Sequence, residues 1–221
     1  RLTHGRADIC FLRDAKTPMT KEEVREVSIC KLHLTQNAVV YDIGSGTGSV
    51  AIEIAGVPGR VQVYAIERKP EAVELLRKNR EQFHMDNIQI IEALAPEGLE
   101  ELPVPTHAFI GGSGGRLLDI LQNLYRKNPH MRIVINAISM ETIAELKEVL
   151  DTFPVEEEEI LQMQVSRVKK LLSYHLPQAE NPVWICSFTF RETGKDPMDN
   201  TKKTKPGAEE TGNGKNGEVQ R

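Results

Sequence analysis

The sequence predicts an α/β fold, a central and mostly parallel sheet with helices on both faces. Three observations predict it. Short apolar runs alternate with helical patterns from residue 38 to about residue 190. A glycine-rich loop follows the first apolar run directly and opens a helix. No internal repeat interrupts the pattern, and strands that alternate with helices pair in parallel.

Each element has its own signal. Residues 1–37 form an N-terminal segment with one helix. Its predicted N-cap is Thr20, with Glu23 three residues on completing a capping box, and Val24, Val27, Ile29 and Leu32 give an apolar side. Ala38–Ile43 is the first strand, and a helix from Thr47 to Ala55 follows the glycine loop. Val61–Ile66 is the second strand. Pro70 suits a first helical position, and that helix runs to about Phe83. Strands are predicted at Ile88–Ile91, His107–Ile110 and Ile133–Asn136, with helices reaching Lys127 and covering 141–152. Two further extended segments, near 158–168 and 183–190, have no helix between them and can pair as an antiparallel excursion. Residues 38–190 are therefore read as one domain. Residues 191–221 are read as a disordered polar tail of Lys, Glu, Gly, Asn and Thr with little to bury.

Composition narrows the function classes. A chain of 221 residues supports one sizeable core, and 39% apolar with 27% charged residues is ordinary for a globular protein. The net charge of −4 opposes a broad basic face, so no nucleic-acid partner is expected. No run approaches the roughly 18 apolar residues of a membrane span, and the first residues lack a signal peptide's apolar core. The three cysteines, Cys10, Cys30 and Cys186, are widely spaced without a Cys-x-x-Cys pair, which fits a reducing cytoplasm. The six histidines show no metal-ligand spacing, and no metal site is expected.

The sharpest signal is Tyr41-Asp42-Ile43-Gly44-Ser45-Gly46-Thr47-Gly48. Glycines let a backbone approach a ligand closely, and the helix start offers N–H groups to a carboxylate or phosphate. A plain strand-to-helix turn also uses glycine. The dinucleotide fingerprint Gly-x-Gly-x-x-Gly is not met, because the third glycine comes one residue early at Gly48. No Gly-x-x-x-x-Gly-Lys-Ser/Thr occurs, so a P-loop is excluded. Glu67 closes the second strand, where an acid can accept hydrogen bonds from both ribose hydroxyls of a nucleoside.

The spacing Asp-x-Gly-x-Gly-x-Gly resembles the first motif of class I S-adenosylmethionine-dependent methyltransferases, which share a Rossmann-like fold. The resemblance extends further. Phe11-Leu12-Arg13-Asp14, Thr17-Pro18-Met19-Thr20-Lys21-Glu22-Glu23-Val24-Arg25, Asp42 to Val50, Tyr64 to Ala72, Phe109-Ile110-Gly111-Gly112-Ser113-Gly114-Gly115, Asn136-Ala137 and Asn181-Pro182-Val183 together resemble the CbiT family. This family, also found as the carboxyl-terminal domain of CobL, contains decarboxylating methyltransferases of cobalamin biosynthesis. The similarity covers about residues 4–190. One departure is Ala93-Leu94-Ala95-Pro96-Glu97, where Leu94 stands in place of the family's usual acid.

The resemblance implies methylation of carbon 15 of a corrin precursor, cobalt-precorrin-6B or its metal-free equivalent, with decarboxylation of the carbon-12 acetate. It implies S-adenosyl-L-methionine as cofactor, held by Gly44, Ser45, Gly46, Thr47 and Gly48 at the methionine end, Glu67 at the ribose and Ala95 near the adenine. Thr20 is expected either to reach the cofactor carboxylate or simply to cap its helix. Gly111, Gly112, Ser113, Gly114 and Gly115, with Arg116 and Asn136, are expected to receive the macrocycle. A small-molecule corrinoid, self-association and a functional partner acting at carbon 5 are the implied partners.

No catalytic side chain is assigned, because a conjugated macrocycle supplies much of the chemistry itself. Arg13, Lys16, Arg116, Arg167, Lys169 and Lys170 are candidates to meet substrate carboxylates, though each also reads as a solvated charge. His107, His175 and Glu53 are weighed as acid–base groups against core or surface roles, and the run Glu156–Glu159 reads as a solvated strand start. The alternative function is a class I methyltransferase acting on RNA or another small molecule. Gly-Gly-Ser-Gly-Gly after the fourth strand, with no aromatic residue to stack a base, opposes the RNA reading. A nicotinamide dehydrogenase is opposed by the glycine spacing, and a cofactor-binding module without turnover stays open.

Overall fold

The structure, a computed structural model, describes residues 4–194 and residue 197. After a three-residue 3-10 turn at Asp8–Cys10, the chain runs α1 (Glu22–Leu32), β1 (Val39–Ile43), α2 (Ser49–Gly56), β2 (Gln62–Glu67), α3 (Pro70–Gln82), β3 (Ile88–Glu92) and β4 (His107–Ile110). It continues with α4 (Leu117–Lys127), β5 (Arg132–Ala137), α5 (Met140–Thr152), β6 (Val155–Met163), β7 (Ser166–Leu171), β8 (Tyr174–Ala179) and β9 (Val183–Phe190). Among the described residues no helix is long and apolar enough to cross a membrane.

Seven strands form one sheet in the order β3-β2-β1-β4-β5-β9-β6. The β1, β2, β3, β4 and β5 neighbours pair in parallel, while β9 runs antiparallel between β5 and β6. Strand alternation divides the core in two. Val40 and Val63 point to the face covered by α1, α2 and α3, with Leu32, Ile52 and Leu76. Tyr41 and Tyr64 point to the face of α4 and α5, with Leu121, Leu124 and Val149. The chain leaves β1 for one face and β4 for the other, so a crevice opens between their carboxyl ends, where doubly wound sheets bind ligands.

The predicted strands and helices recur with ends within two residues, except that the segment expected near 158–168 is divided between β6 and β7; Pro70 is at the start of α3. The first helix differs. Its N-cap is Lys21, not Thr20, and no side chain caps it. Thr20 lies one residue before the cap, and the Glu23 carboxylate pairs with Arg167 at 2.5 Å. Neither half of the capping box forms.

The expected antiparallel excursion is β6 with β9, and the register shifts between Glu156 and Glu159. Glu157 there has φ 52°, as the kinked residue of a bulge can. Glu156 to Glu159 are all exposed, as a solvated strand start would be, and at this surface Glu159 pairs with Lys31 and Glu157 with Arg132. The segment between these strands is not loop. It is a separate two-stranded hairpin, β7 with β8. Sequence reasoning missed it because its strands are rich in Lys and carry Pro177, which weakens a strand signal and suits an edge.

Residues 191–193 continue from β9 against the domain. The Arg191 N–H donates to Pro154 O at 2.9 Å, and the Tyr125 hydroxyl donates to Arg191 O at 3.3 Å. Most of the tail expected from residue 191 lies outside the described residues.

The antiparallel end of the sheet is closed by aromatic packing. The Phe190 ring meets Tyr125 at 5.2 Å edge-on, Phe188 at 5.5 Å and Phe153 at 5.6 Å. Phe190 is fully buried. Phe190→Ala is therefore expected to lower unfolding free energy by about 3–5 kcal/mol, measured by urea denaturation. A loss below about 1 kcal/mol would mean this corner repacks.

Candidate active site

Backbone geometry builds the site first. The amides of Gly44 and Ser45 both donate to Ile66 O, at 2.9 and 3.1 Å, which ties the glycine loop to the end of β2. The amides of Gly111 and Gly112 donate to Ile43 O, which ties the end of β1 to the loop after β4. These two loops then touch. A β-carbon on Gly44 would lie 2.6 Å from Gly112 O, and Gly44 has φ +74°. A β-carbon on Gly46, at φ +54°, would lie 2.7 Å from Pro18 O of the N-terminal segment. Glycine is required at both places by close approach and by a left-handed backbone.

A cavity of about 680 Å³ opens over this junction. Its walls bring together Thr20, Gly44, Ser45, Gly46, Glu67 and Ala95 on one side and Gly111, Gly112, Ser113, Gly114 and Asn136 on the other. These are most of the residues singled out from the sequence. Leu94 joins the two halves: it lines the cavity, and a β-carbon on Gly114 would lie 3.6 Å from its Cδ1. An adjoining cavity of about 180 Å³ shares Gly111, Gly112, Ser113, Asn136 and Ile138, and reaches Ser139 and Thr142 at the start of α5.

Four singled-out residues lie outside the wall of the large cavity. Thr47 is fully buried, and its carbonyl accepts from Asn79. Gly48 is the N-cap of α2 with φ 80°. Gly115, with φ +78°, is the second central residue of the turn closed by Arg116 N–H to Ser113 O. Arg116 bonds Glu97 at 2.6 Å and lies 3.5 Å from Asp119, so local carboxylates already hold its guanidinium. Asn136 faces the cavity at the end of β5, but its amide also meets the Ser28 hydroxyl, about 3.0 Å away, which couples β5 to α1.

The buried acids differ in how they are satisfied. Glu67 Oε2 accepts from Gly46 N at 3.0 Å, and Oε1 accepts from Arg68 N and Lys69 N at 2.9 Å each. Three backbone donors thus orient a carboxylate with some acceptor capacity left. Glu53, weighed as a base, is fully buried and bonded to Arg6, an ion-pair role away from the cavity wall. Asp42 is fully buried, and neither carboxylate oxygen has a partner at hydrogen-bond geometry. Burial pushes its pKa up to about 7, helped by the Glu67 charge and opposed by the nearby Ser45 hydroxyl and Ala51 amide.

The remaining candidates are not gathered at the cavity. His107 is buried at the opposite, amino-terminal end of β4, with Nδ1 2.7 Å from the Thr106 hydroxyl, and burial lowers its pKa. His175, Lys169 and Lys170 are exposed on the β7–β8 hairpin, and Arg13 and Lys16 are exposed on the N-terminal segment. Arg167 bonds Glu23 and Glu180. Sequence reasoning missed the contribution of this region to the mouth: Met163, Val165, Gln178, Ala179 and Glu180 line the cavity. No local signal marks them, because the hairpin places them there. Among the described residues no group of His, Cys, Asp and Glu is arranged to hold a metal ion.

The family model for a precorrin methyltransferase domain matches residues 10–189. The chain is 37% identical over 183 residues to a probable cobalt-precorrin-6B C(15)-methyltransferase (decarboxylating) of Sulfurisphaera tokodaii, covering 82% of this chain and 95% of that protein. It is 35% identical over 179 residues to the cobalt-precorrin-6B C(15)-methyltransferase (decarboxylating) of Salmonella typhimurium, covering 80% and 92%. The crystal structure of precorrin-6y C5,15-methyltransferase from Geobacter metallireducens superposes with a TM-score of 0.78 at 34% identity, covering 86% of this chain and 98% of that one.

The isolation of Asp42 has a measurable consequence. With its folded pKa raised from 3.8 to about 7, the native state keeps a proton that the unfolded chain releases, so this group's contribution to stability falls as pH rises between those values. Asp42→Asn is expected to gain stability relative to the unsubstituted chain across that window and to show a constant difference below it. Thermal unfolding of both proteins as a function of pH measures this. A difference that does not change with pH would show that folding leaves the Asp42 pKa where the unfolded chain has it.

Proposed function

The chain belongs to the precorrin methyltransferase family, and from that premise we propose that it transfers a methyl group from S-adenosyl-L-methionine to carbon 15 of cobalt-precorrin-6B or its metal-free equivalent, with decarboxylation of the carbon-12 acetate. The observation that carries the reading is the single cavity that joins the Gly44–Gly46 loop and Glu67 to the Gly111–Gly114 loop.

The residues fit the cofactor. Gly44 and Gly46 leave backbone room that a β-carbon would fill, and this room suits the methionine end. Glu67, already oriented by three amides, suits the two ribose hydroxyls. Ala93, Leu94 and Ala95 offer an apolar slot for the adenine. Thr20 lines the same cavity without serving as a helix cap, which favours its ligand role.

Bound S-adenosylmethionine supplies a methyl group already activated by its sulfonium centre. The chain's part is alignment, which can lower a barrier by roughly 7–11 kcal/mol at best. The small residues Gly111, Gly112, Ser113 and Gly114 form an open floor for a flat macrocycle, and exposed Ile138 adds an apolar edge beside Asn136. The binding test is calorimetric titration with S-adenosylhomocysteine. The native chain is expected to bind, and Glu67→Ala to lose about tenfold or more in affinity. Turnover of cobalt-precorrin-6B, with release of carbon dioxide, then tests the reaction. Absence of binding by the native chain would remove the reading.

Self-association is part of the proposal. A free two-stranded hairpin is marginal in water, yet β7–β8 exposes Val168, Leu171, Leu172, Tyr174 and Leu176. A second copy of the chain would cover them. Light scattering is expected to give an oligomer for the native chain and a smaller species for Leu171→Asp with Tyr174→Asp. A native monomer would exclude it.

A further inference from the structure

Residues 5–20 contain only one 3-10 turn, yet their backbone is held at two buried points. At the first, Glu53 Oε1 accepts from Arg6 N at 2.7 Å and Oε2 from Arg6 Nη1 at 2.6 Å. Arg25, fully buried on α1, lies with Nε 3.6 Å from Glu53 Oε1. Its Nη1 donates to Asp8 Oδ1 at 3.1 Å and to the Thr20 carbonyl at 2.8 Å, and its Nη2 donates to the Arg6 carbonyl. At the second point, Asn79 of α3, also fully buried, pairs with both backbone groups of Leu12. Oδ1 accepts from Leu12 N at 2.7 Å, and Nδ2 donates to Leu12 O at 2.9 Å. The same Nδ2 donates to Thr47 O of the glycine loop at 2.9 Å.

The two points bracket a stretch that ends on the cavity. Thr17, Pro18, Met19 and Thr20 line it, and Pro18 O rests where a side chain on Gly46 would be. Glu53 lies one turn into the helix that begins at the glycine loop. Each point therefore joins the N-terminal segment to the loop or to its helix. A buried ion cluster adds little net stability compared with apolar packing of the same volume. What it does provide is a single placement for a chain that has no hydrogen-bond ladder of its own.

We infer that residues 5–20 are a strap seated on the glycine loop by these two points, and that Arg25 and Asn79 are positioning residues for cofactor binding. The inference rests on the proposed function. Neither residue touches the cavity, so each acts through Thr17–Thr20 and through the loop.

The test uses the full chain and S-adenosylhomocysteine. Asn79→Ala removes one point. Asp8→Ala loosens the other at its partly buried rim and is the variant to use if Asn79→Ala does not fold. Val149→Ala, in the opposite half of the core, serves as a control for general destabilisation. Both strap variants are expected to lose about tenfold or more in affinity. KM for S-adenosylmethionine should rise while kcat at saturating cofactor stays near the native value. Val149→Ala should lower Tm with affinity kept. Strap variants that bind as the native chain does, or a control that loses affinity in step with its Tm, would overturn the inference. A native chain that fails to bind is seen in the first titration, and it overturns the proposed function and the strap with it.

Discussion

The carbonyl oxygen of Gly112 and the α-carbon of Gly44 stand so close that a methyl group between them would be 2.6 Å from the oxygen. This contact joins the chain leaving β1 to the chain leaving β4. Those two strands are neighbours in the sheet, but their following helices lie on opposite faces. The backbone must therefore part at this point, and it stays in contact only because no side chain intervenes. The cavity is the space above that parting. One half of it follows the β1 loop and the other follows the β4 loop. Their spacing is set by the hydrogen bonds of Gly111 and Gly112 to Ile43.

Around this contact the chain buries three carboxylates with different outcomes. Glu67 is oriented by amides of the loop and of its own turn, so it is fixed before any ligand arrives. Glu53 is neutralised by arginines of the N-terminal segment and α1. Asp42 has neither, and desolvation moves its proton affinity to near neutrality. These are three ways of settling a charge where water is scarce. Only the first leaves a carboxylate at the cavity wall.

Much of this was legible in the sequence. Alternation of strand and helix gave the layer architecture, since parallel neighbours demand crossovers. The glycine spacing and Glu67 located the cavity, because close backbone approach leaves a mark in residue type. Other parts leave none. Thr20 followed by Glu23 satisfies a capping rule, but the helix is capped at Lys21 and the Glu23 carboxylate pairs with Arg167, a distant partner that a local pattern does not show. Arg25 and Asn79 are polar residues whose burial no local pattern announces, yet both are fully buried and bond the N-terminal segment. The β7–β8 hairpin is hidden for a different reason. Its alternation is blurred by lysines, and its apolar residues are exposed in the single chain.

The walls of the cavity also bear on how little acid–base chemistry the chain offers. Its ionisable lining residues are Lys21, Glu67, Arg68, Lys69 and Glu180. Glu67, Arg68 and Lys69 follow β2 and Lys21 precedes α1, while Glu180 is paired with Arg167 at the mouth. The floor from Gly111 to Gly114 has none, and its one hydroxyl, Ser113, reaches Glu145 only at 3.4 Å. A floor without ionisable side chains suits a reaction in which the acceptor carbon belongs to an electron-rich ring and the electrons left by the departing carboxyl return to that ring. Under that constraint the rate depends on how the ring lies against the donor, so backbone placement matters more than any single side chain.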